Sequence, residues 1–156
     1  MFVSTSLEEL AYDAALRSLD KQEHVLDEIR ARTGLLVGGS SLAASFLGPR
    51  AFTSGHTAIL VAALATFAFT IVAGLYVLMP KKNLVFAISG SGLFEGLYPY
   101  RDEPSEVYRR LAYDLTRFWD ANDRILSPLF VWFRYATYGL ALEVILLLIA
   151  VSDNLV

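Results

Sequence analysis

Residues 57–82 read TAILVAALATFAFTIVAGLYVLMPKK. From Thr57 to Met79 no charge interrupts the run, and Pro80 then stops it ahead of Lys81-Lys82. A helix of that length, at about 1.5 Å per residue, crosses a hydrocarbon core of about 30 Å. Proline followed by interfacial cations is how such a span ends. Working outward, two further apolar stretches flank it. Residues 33–49 lie uncharged between Arg32 and Arg50, and residues 135–152 carry Glu143 as their one ionisable group. The whole chain has 156 residues, 55% hydrophobic and 19% charged, with a mean hydropathy of +0.48. A soluble domain carries about a quarter charged residues, and a chain this short cannot bury three such stretches in one interior. The expectation is therefore an all-α, polytopic membrane protein with three transmembrane helices and cytoplasmic helical extensions.

The basic residues give an orientation. Arg17, Lys21, Arg30 and Arg32 precede the first span, and Lys81, Lys82, Arg101, Arg109, Arg110, Arg117, Arg124 and Arg134 lie between the second and third. Arg50 alone sits between spans one and two, and the tail after residue 152 has none. Positive charge stays on the cytoplasmic side, so the N-terminus is expected inside and the C-terminus outside. The chain then divides into a cytoplasmic N-terminal helix (1–32), a two-span transmembrane hairpin (33–79), a cytoplasmic connecting loop (80–104), a cytoplasmic seam helix (105–134) and a third transmembrane helix with an outside tail (135–156). Residues 1–32 hold seven acidic and four basic residues and lack the apolar run of a signal peptide.

Two helical seams are written in these segments. Ser6-Leu7-Glu8-Glu9 has the form of a capping box, and from it Tyr12, Ala15, Leu19, Gln22, Leu26 and Ile29 follow at alternating steps of three and four. That helix is expected to run unbroken into the first span. The second seam starts beyond Pro104: Tyr108, Leu111, Leu115, Phe118, Asn122, Ile125, Leu129 and Trp132, continuing as Ala136, Gly139, Glu143, Leu146 and Ala150 if Pro128 leaves the helix intact. Leu111, Leu115, Phe118, Asn122 and Ile125 suit a seam between copies of the chain, with a lone Asn fixing register and subunit number. A homo-oligomer follows, with a tetramer as the first expectation.

Chemistry is sparse. With no cysteine, neither a disulfide nor a thiolate metal site exists, and His24 and His56 have no ligand spacing, so no metal and no cofactor is expected. Ser89-Gly90-Ser91-Gly92 lacks the Lys and Ser/Thr of a phosphate loop, and no nucleophile has a base at helical spacing, so no enzyme is expected. Glu143 is different. A mid-span carboxylate costs at least ~2.5 kcal/mol to insert and therefore faces a bundle interior or water. It is either protonated and bonded to a hydroxyl, or set in a pore, where a ring of acids favours cations. Small residues recur at strict steps of four in span two, as Ala58, Ala62, Thr66, Thr70 and Gly74, and span one carries Gly34 and Gly38, then Ser41 and Ser45. They suit close helix packing; the alternative gives Ser41, Ser45, Thr66 and Thr70 a wet path between protomers. Arg110, Arg117 and Arg124 recur every seven residues beside Arg109, as a row able to grip phosphates. The plainer reading pairs them with Asp114 and Asp120 as a solvated face.

The layout has a counterpart. LDKQEHVLDEIRARTGLLVGGSSLAASFLG (19–48) with TAILVAALATFAFTIVAGLYVLMP (57–80) resembles the SLATT group of small bacterial effectors, and VYRRLAYDLTRFWDANDRILSPLFVWFRYATYGLALEVILLLIA (107–150) is similar to the helix and last span of Pycsar-type transmembrane effectors. The resemblance covers nearly the whole chain and is one of layout rather than of a diagnostic motif. It implies a bacterial inner-membrane protein of anti-phage defence. A nucleotidyltransferase or cyclase partner makes a nucleotide second messenger, or a short single-stranded oligonucleotide as in the Hailong system, and the effector oligomerises into a pore that depolarises the membrane. The separate cyclic-nucleotide domain of some Pycsar relatives has no room here. From other classes, a non-conducting membrane scaffold that recruits a soluble partner is the main alternative. A small transporter is disfavoured by the lack of an inverted repeat and of paired intramembrane charges.

Overall fold

A computed structural model describes residues 6–53, 57–82, 84–86 and 95–152. It is all-helical: α1 (Leu7–Thr53), α2 (Thr57–Leu78), a 3-10 turn at Tyr98–Tyr100, and α3 (Pro104–Ser152), with no strand among the described residues. The Ser89–Gly92 turn, His56 and the C-terminal tail lie outside them. The capping signal at Ser6 is used, since the Glu9 amide donates to Ser6 Oγ at 3.2 Å. α1 then runs unbroken into the apolar stretch, and α3 passes through Pro128 without interruption. α2 and α3 are long and apolar enough to cross a membrane. The stretch 33–49 of α1 does not reach that mark, because Gly34, Gly38, Gly39, Ser40, Ser41, Ser45 and Gly48 dilute its apolar side chains.

The chain forms two compact units, and α1 and α3 supply segments to both. The first unit holds residues 1–27 and 81–126. Here α1 and α3 run parallel: Tyr12 packs on Tyr108 with ring centroids 5.6 Å apart, and further on the Gln22 amide donates to the Trp119 carbonyl at 3.2 Å. Leu19, Gln22 and Leu26 are buried, as are Leu111, Leu115, Asn122 and Leu126. Of the α3 seam residues, Leu111, Leu115 and Asn122 are thus covered within one chain, while Phe118 and Ile125 are half-buried and Leu126 is buried in place of Ile125. Asn122 bonds within its own chain, where its Nδ2 donates to the Val85 carbonyl at 2.9 Å and its Oδ1 accepts from the Val85 amide at 3.0 Å. The polar residue expected to set register between copies instead clasps the segment after α2 to its own helix. Asn122→Leu should release that segment, since two backbone groups lose partners worth about 1–3 kcal/mol each when buried. Limited proteolysis between residues 80 and 104 should accelerate; an unchanged rate would deny the clasp.

The second unit holds residues 28–80 and 127–156. α2 runs antiparallel to α1, with Gly74 against Thr33 and Val37, while Ala51 shares an apolar cluster with Leu60, Ala63, Leu147 and Ala150. α2 is likewise antiparallel to α3, with Thr70 against Gly139 and Tyr76 and Phe69 around Trp132 at ring distances of 5.2 and 6.5 Å. Close approach falls at Gly74 and Gly139, where a Cβ would overlap Val37 and Thr70 Oγ1 respectively. It does not fall at Gly34 or Gly38, where an added Cβ meets nothing within 4 Å. Gly139→Leu should therefore force α2 and α3 apart and cost about 1–3 kcal/mol or more as overpacking, read as a lowered Tm in detergent. Gly38→Leu is the control and should leave Tm unchanged.

Four polar side chains lie inside this unit, in an interior otherwise made of apolar residues such as Leu36, Leu60, Ala73, Val77, Leu129 and Ala136. Thr33, Ser40, Thr70 and Glu143 are each 0% exposed, while Leu35 is 78%, Phe46 73% and Val72 62% exposed. Water disfavours that much exposed apolar surface. Where the surroundings are as apolar as leucine, small and hydroxyl-bearing residues form the helix contacts instead.

Candidate functional site at Glu143

The seam of α1 can be followed in steps of three and four from Leu19 through Gln22, Leu26, Ile29, Thr33 and Leu36 to Ser40, and every one of these residues is buried. On α3 the buried positions Leu129, Ala136, Gly139 and Glu143 keep the same alternation. Parallel helices with matching seams bring equivalent positions together, and the one acid of α3's apolar half thereby faces the one serine on the α1 seam. Ser40 Oγ donates to Glu143 Oε2 in a short hydrogen bond. Glu143 Oε1 has no hydrogen-bond partner and is buried. No Lys or Arg exists in 33–49, 57–79 or 135–152 to neutralise it.

Of the other hydroxyls named from the sequence, Ser45 shares a cavity wall with Glu143, and none bonds to the carboxyl group. Ser41 and Ser45 are exposed, and Ser41 Oγ is spent on the Val37 carbonyl at 2.9 Å. Thr66 Oγ1 donates to the Ala62 carbonyl at 2.7 Å, and Thr70 Oγ1 to the Thr66 carbonyl at 2.9 Å. Only Thr70 of the four is buried, against Gly139. The strict four-residue repeat of α2 is not one buried face. Each step of four advances about 400°, so a strict repeat drifts about 40° per step around the helix, and Ala58 and Ala62 at its start are exposed. Ser40, which the stripe missed, is marked by the alternation of the N-terminal seam carried one and a half heptads further.

Glu143 also walls a cavity of about 380 Å³ that lies between α1, α2 and α3 of this unit. Ser45, Gly48, Phe52, Leu60 and Phe67 are among its other walls. The chemistry available here is that of a carboxyl group with one oxygen held by a hydroxyl and one free, in mostly apolar surroundings.

The basic row belongs to the first unit, and its members are engaged differently. Arg109 Nη2 lies 2.6 Å from Glu106 Oε2, and Arg110 Nε donates to Glu106 Oε1 at 2.8 Å. Arg110 also stacks over the Tyr100 ring at 3.9 Å. The Arg109 hydrogen bond, opposed by desolvation and aided by Arg110, holds the Glu106 carboxyl below the usual carboxylate range. Lowering the pH through that depressed pKa protonates Glu106 and opens the clamp, whereas near neutral pH it is fully formed. The partner of this pair is thus Glu106, in the first turn of α3, and not Asp114 or Asp120. Arg117 and Arg124 are exposed and form no salt bridge among the described residues.

No known protein family, curated protein or solved structure matches the chain.

Proposed function

We propose that the protein is a three-span, homo-oligomeric membrane effector whose second unit conducts cations once gated. The observation that carries this reading is Glu143: a buried, half-partnered carboxylate without a cation, in a unit whose outer face is leucine, valine and phenylalanine. A carboxylate kept at a helix centre against its insertion cost marks an ion or proton path more often than a structural contact. α2 and the apolar half of α3 supply two spans, and residues 33–49 of α1 supply the third, lined on its buried face by Thr33 and Ser40. In this reading the Ser40–Glu143 bond belongs to the resting state, and opening replaces the serine hydroxyl by water. The α3 seam is already largely covered within the protomer, so copies associate through exposed faces, for which Leu35, Leu42 and Phe46 are suited.

The first unit is the receiver, and α1 and α3, the two helices that the units share, carry its response. Arg117 and Arg124 would meet a phosphate-bearing ligand, a nucleotide messenger or a short oligonucleotide, on the cytoplasmic side set by the excess of basic residues there. The role in anti-phage defence at the bacterial inner membrane rests on the likeness of layout to SLATT and Pycsar-type effectors. Reconstitution in planar bilayers, with cyclic nucleotides and short single-stranded oligonucleotides added to the basic side, tests the whole. Ligand-dependent cation currents from a cross-linkable oligomer support it. A monodisperse monomer that passes no current with any ligand would instead favour a scaffold, whose docking face would include the exposed Leu7, Leu10 and Tyr113 of the first unit.

A further inference from the structure

The cavity beside Glu143 has a composition that selects its occupant. Its volume, about 380 Å³, is at the lower end of the range of small-molecule sites. Ala44, Leu60, Ala63, Leu64 and Leu147 make it apolar, Phe52 and Phe67 add aromatic surface, and Glu143 is the one ionisable group in its wall. A hard metal cation needs six or more oxygen ligands, and with only Ser45 beside the carboxylate this wall offers nothing near that number. A neutral apolar molecule would leave Oε1 as it is, without a partner. A molecule with an apolar body and a single positive charge answers both features. The body fills the cavity, its charge lies close to the carboxylate in the wall, where low polarity strengthens their attraction, and phenylalanine rings attract ammonium groups.

We propose that the Glu143 cavity is a binding site for small hydrophobic organic cations, of the class of aryl-alkyl ammonium ions. The occupant sits within one protomer, in the second unit alone. Binding therefore requires neither assembly nor conduction, and a protein that passes no current is still expected to bind.

Benzyltrimethylammonium and its uncharged carbon isostere neopentylbenzene separate charge from shape. Ligand-observed NMR on the full chain in detergent micelles should give saturable binding of both. Glu143→Gln keeps the shape of the side chain and should weaken the cation about tenfold or more, the scale of a lost charge-assisted contact, while leaving the isostere unchanged. Gly48→Leu should abolish both: an added Cβ at Gly48 meets nothing within 4 Å, so the side chain enters open space and the fold accommodates it. Equal cation affinity for wild type and Glu143→Gln would overturn the proposal, leaving an apolar pocket of the kind a lipid chain fills. So would equal affinity for wild type and Gly48→Leu, or no saturable binding of the cation by wild type.

Discussion

Ser40→Ala, reconstituted in planar bilayers, will leak cations without ligand, and Glu143→Gln will conduct with its reversal potential under a KCl gradient moved toward zero. The two results come from one hydrogen bond and differ because the two partners do different things. Ser40 Oγ is the sole hydrogen-bond partner of the Glu143 carboxyl among the described residues. Removing it leaves a buried acid with neither oxygen satisfied, and water entering the unit is the remaining means of solvating it. A hydrogen bond to a charged group is worth about 1.5–3 kcal/mol net. Since about 1.4 kcal/mol is a factor of ten, the resting state should lose about 10- to 100-fold of its advantage over a hydrated one. Glu143→Gln leaves Ser40 a carbonyl acceptor, so the fold and the closed state persist, but the open path loses the charge that favours cations. In the proposed pore, Glu143→Leu should abolish the current, because an apolar ring at a constriction closes by dewetting. Wild-type currents and selectivity in both Ser40→Ala and Glu143→Gln would remove this pair from the pathway.

How far the sequence leads to this pair depends on which face is followed. On α3 the alternation of three and four from Leu111 to Ala150 is the buried face almost throughout, with Leu126 and Leu147 taking the places expected of Ile125 and Leu146. Each of these slips exchanges the order of a step of three and a step of four, which a period of 3.6 permits at either place. On α1 the same alternation holds. Gly34, Gly38, Ser41 and Ser45 keep it too but on a neighbouring face, out of phase with Thr33, Leu36 and Ser40, which is what exchanges Ser40 for Ser41 and Ser45. A seam does not change face at the point where it enters an apolar stretch, because 3.6 residues per turn governs both environments. The parallel course of α1 and α3 follows from the two reversals of direction, α1 to α2 and α2 to α3. Contacts between segments distant in sequence are not legible: nothing local announces that Asn122 clasps Val85 or that Arg110 rests on Tyr100. The choice of Glu106 over Asp114 follows from position, since a carboxylate in the first turn gains from the helix dipole as well as from two arginines.

Arg117→Gln with Arg124→Gln should weaken binding of a phosphate-bearing ligand to the first unit, and Arg110→Gln should not. Arg110 is already engaged twice, by Glu106 and by the Tyr100 ring, so its loss should loosen the 98–100 turn instead. Arg117 and Arg124 are exposed and outside any salt bridge among the described residues. Seven residues of helix separate them by about 10 Å along the axis, too far for both to grip one phosphate. A single-phosphate cyclic nucleotide would use one arginine, whereas a short oligonucleotide would use both. The salt dependence tells the two apart. For single strands the slope of log K against log salt is about −0.7 per phosphate neutralised, so an oligonucleotide should lose about 1.4 in slope in the double variant, and each single variant about half that. For a cyclic nucleotide one single variant should carry the entire loss and the other none. Asp114 and Asp120 on the same helix repel phosphate, so Asp120→Asn should tighten binding modestly in either case. Fluorescence anisotropy with labelled oligonucleotides across a salt series measures all of these. Equal affinity and equal slope in wild type and the double variant would reduce the arginine row to a solvated face and leave gating to some other surface.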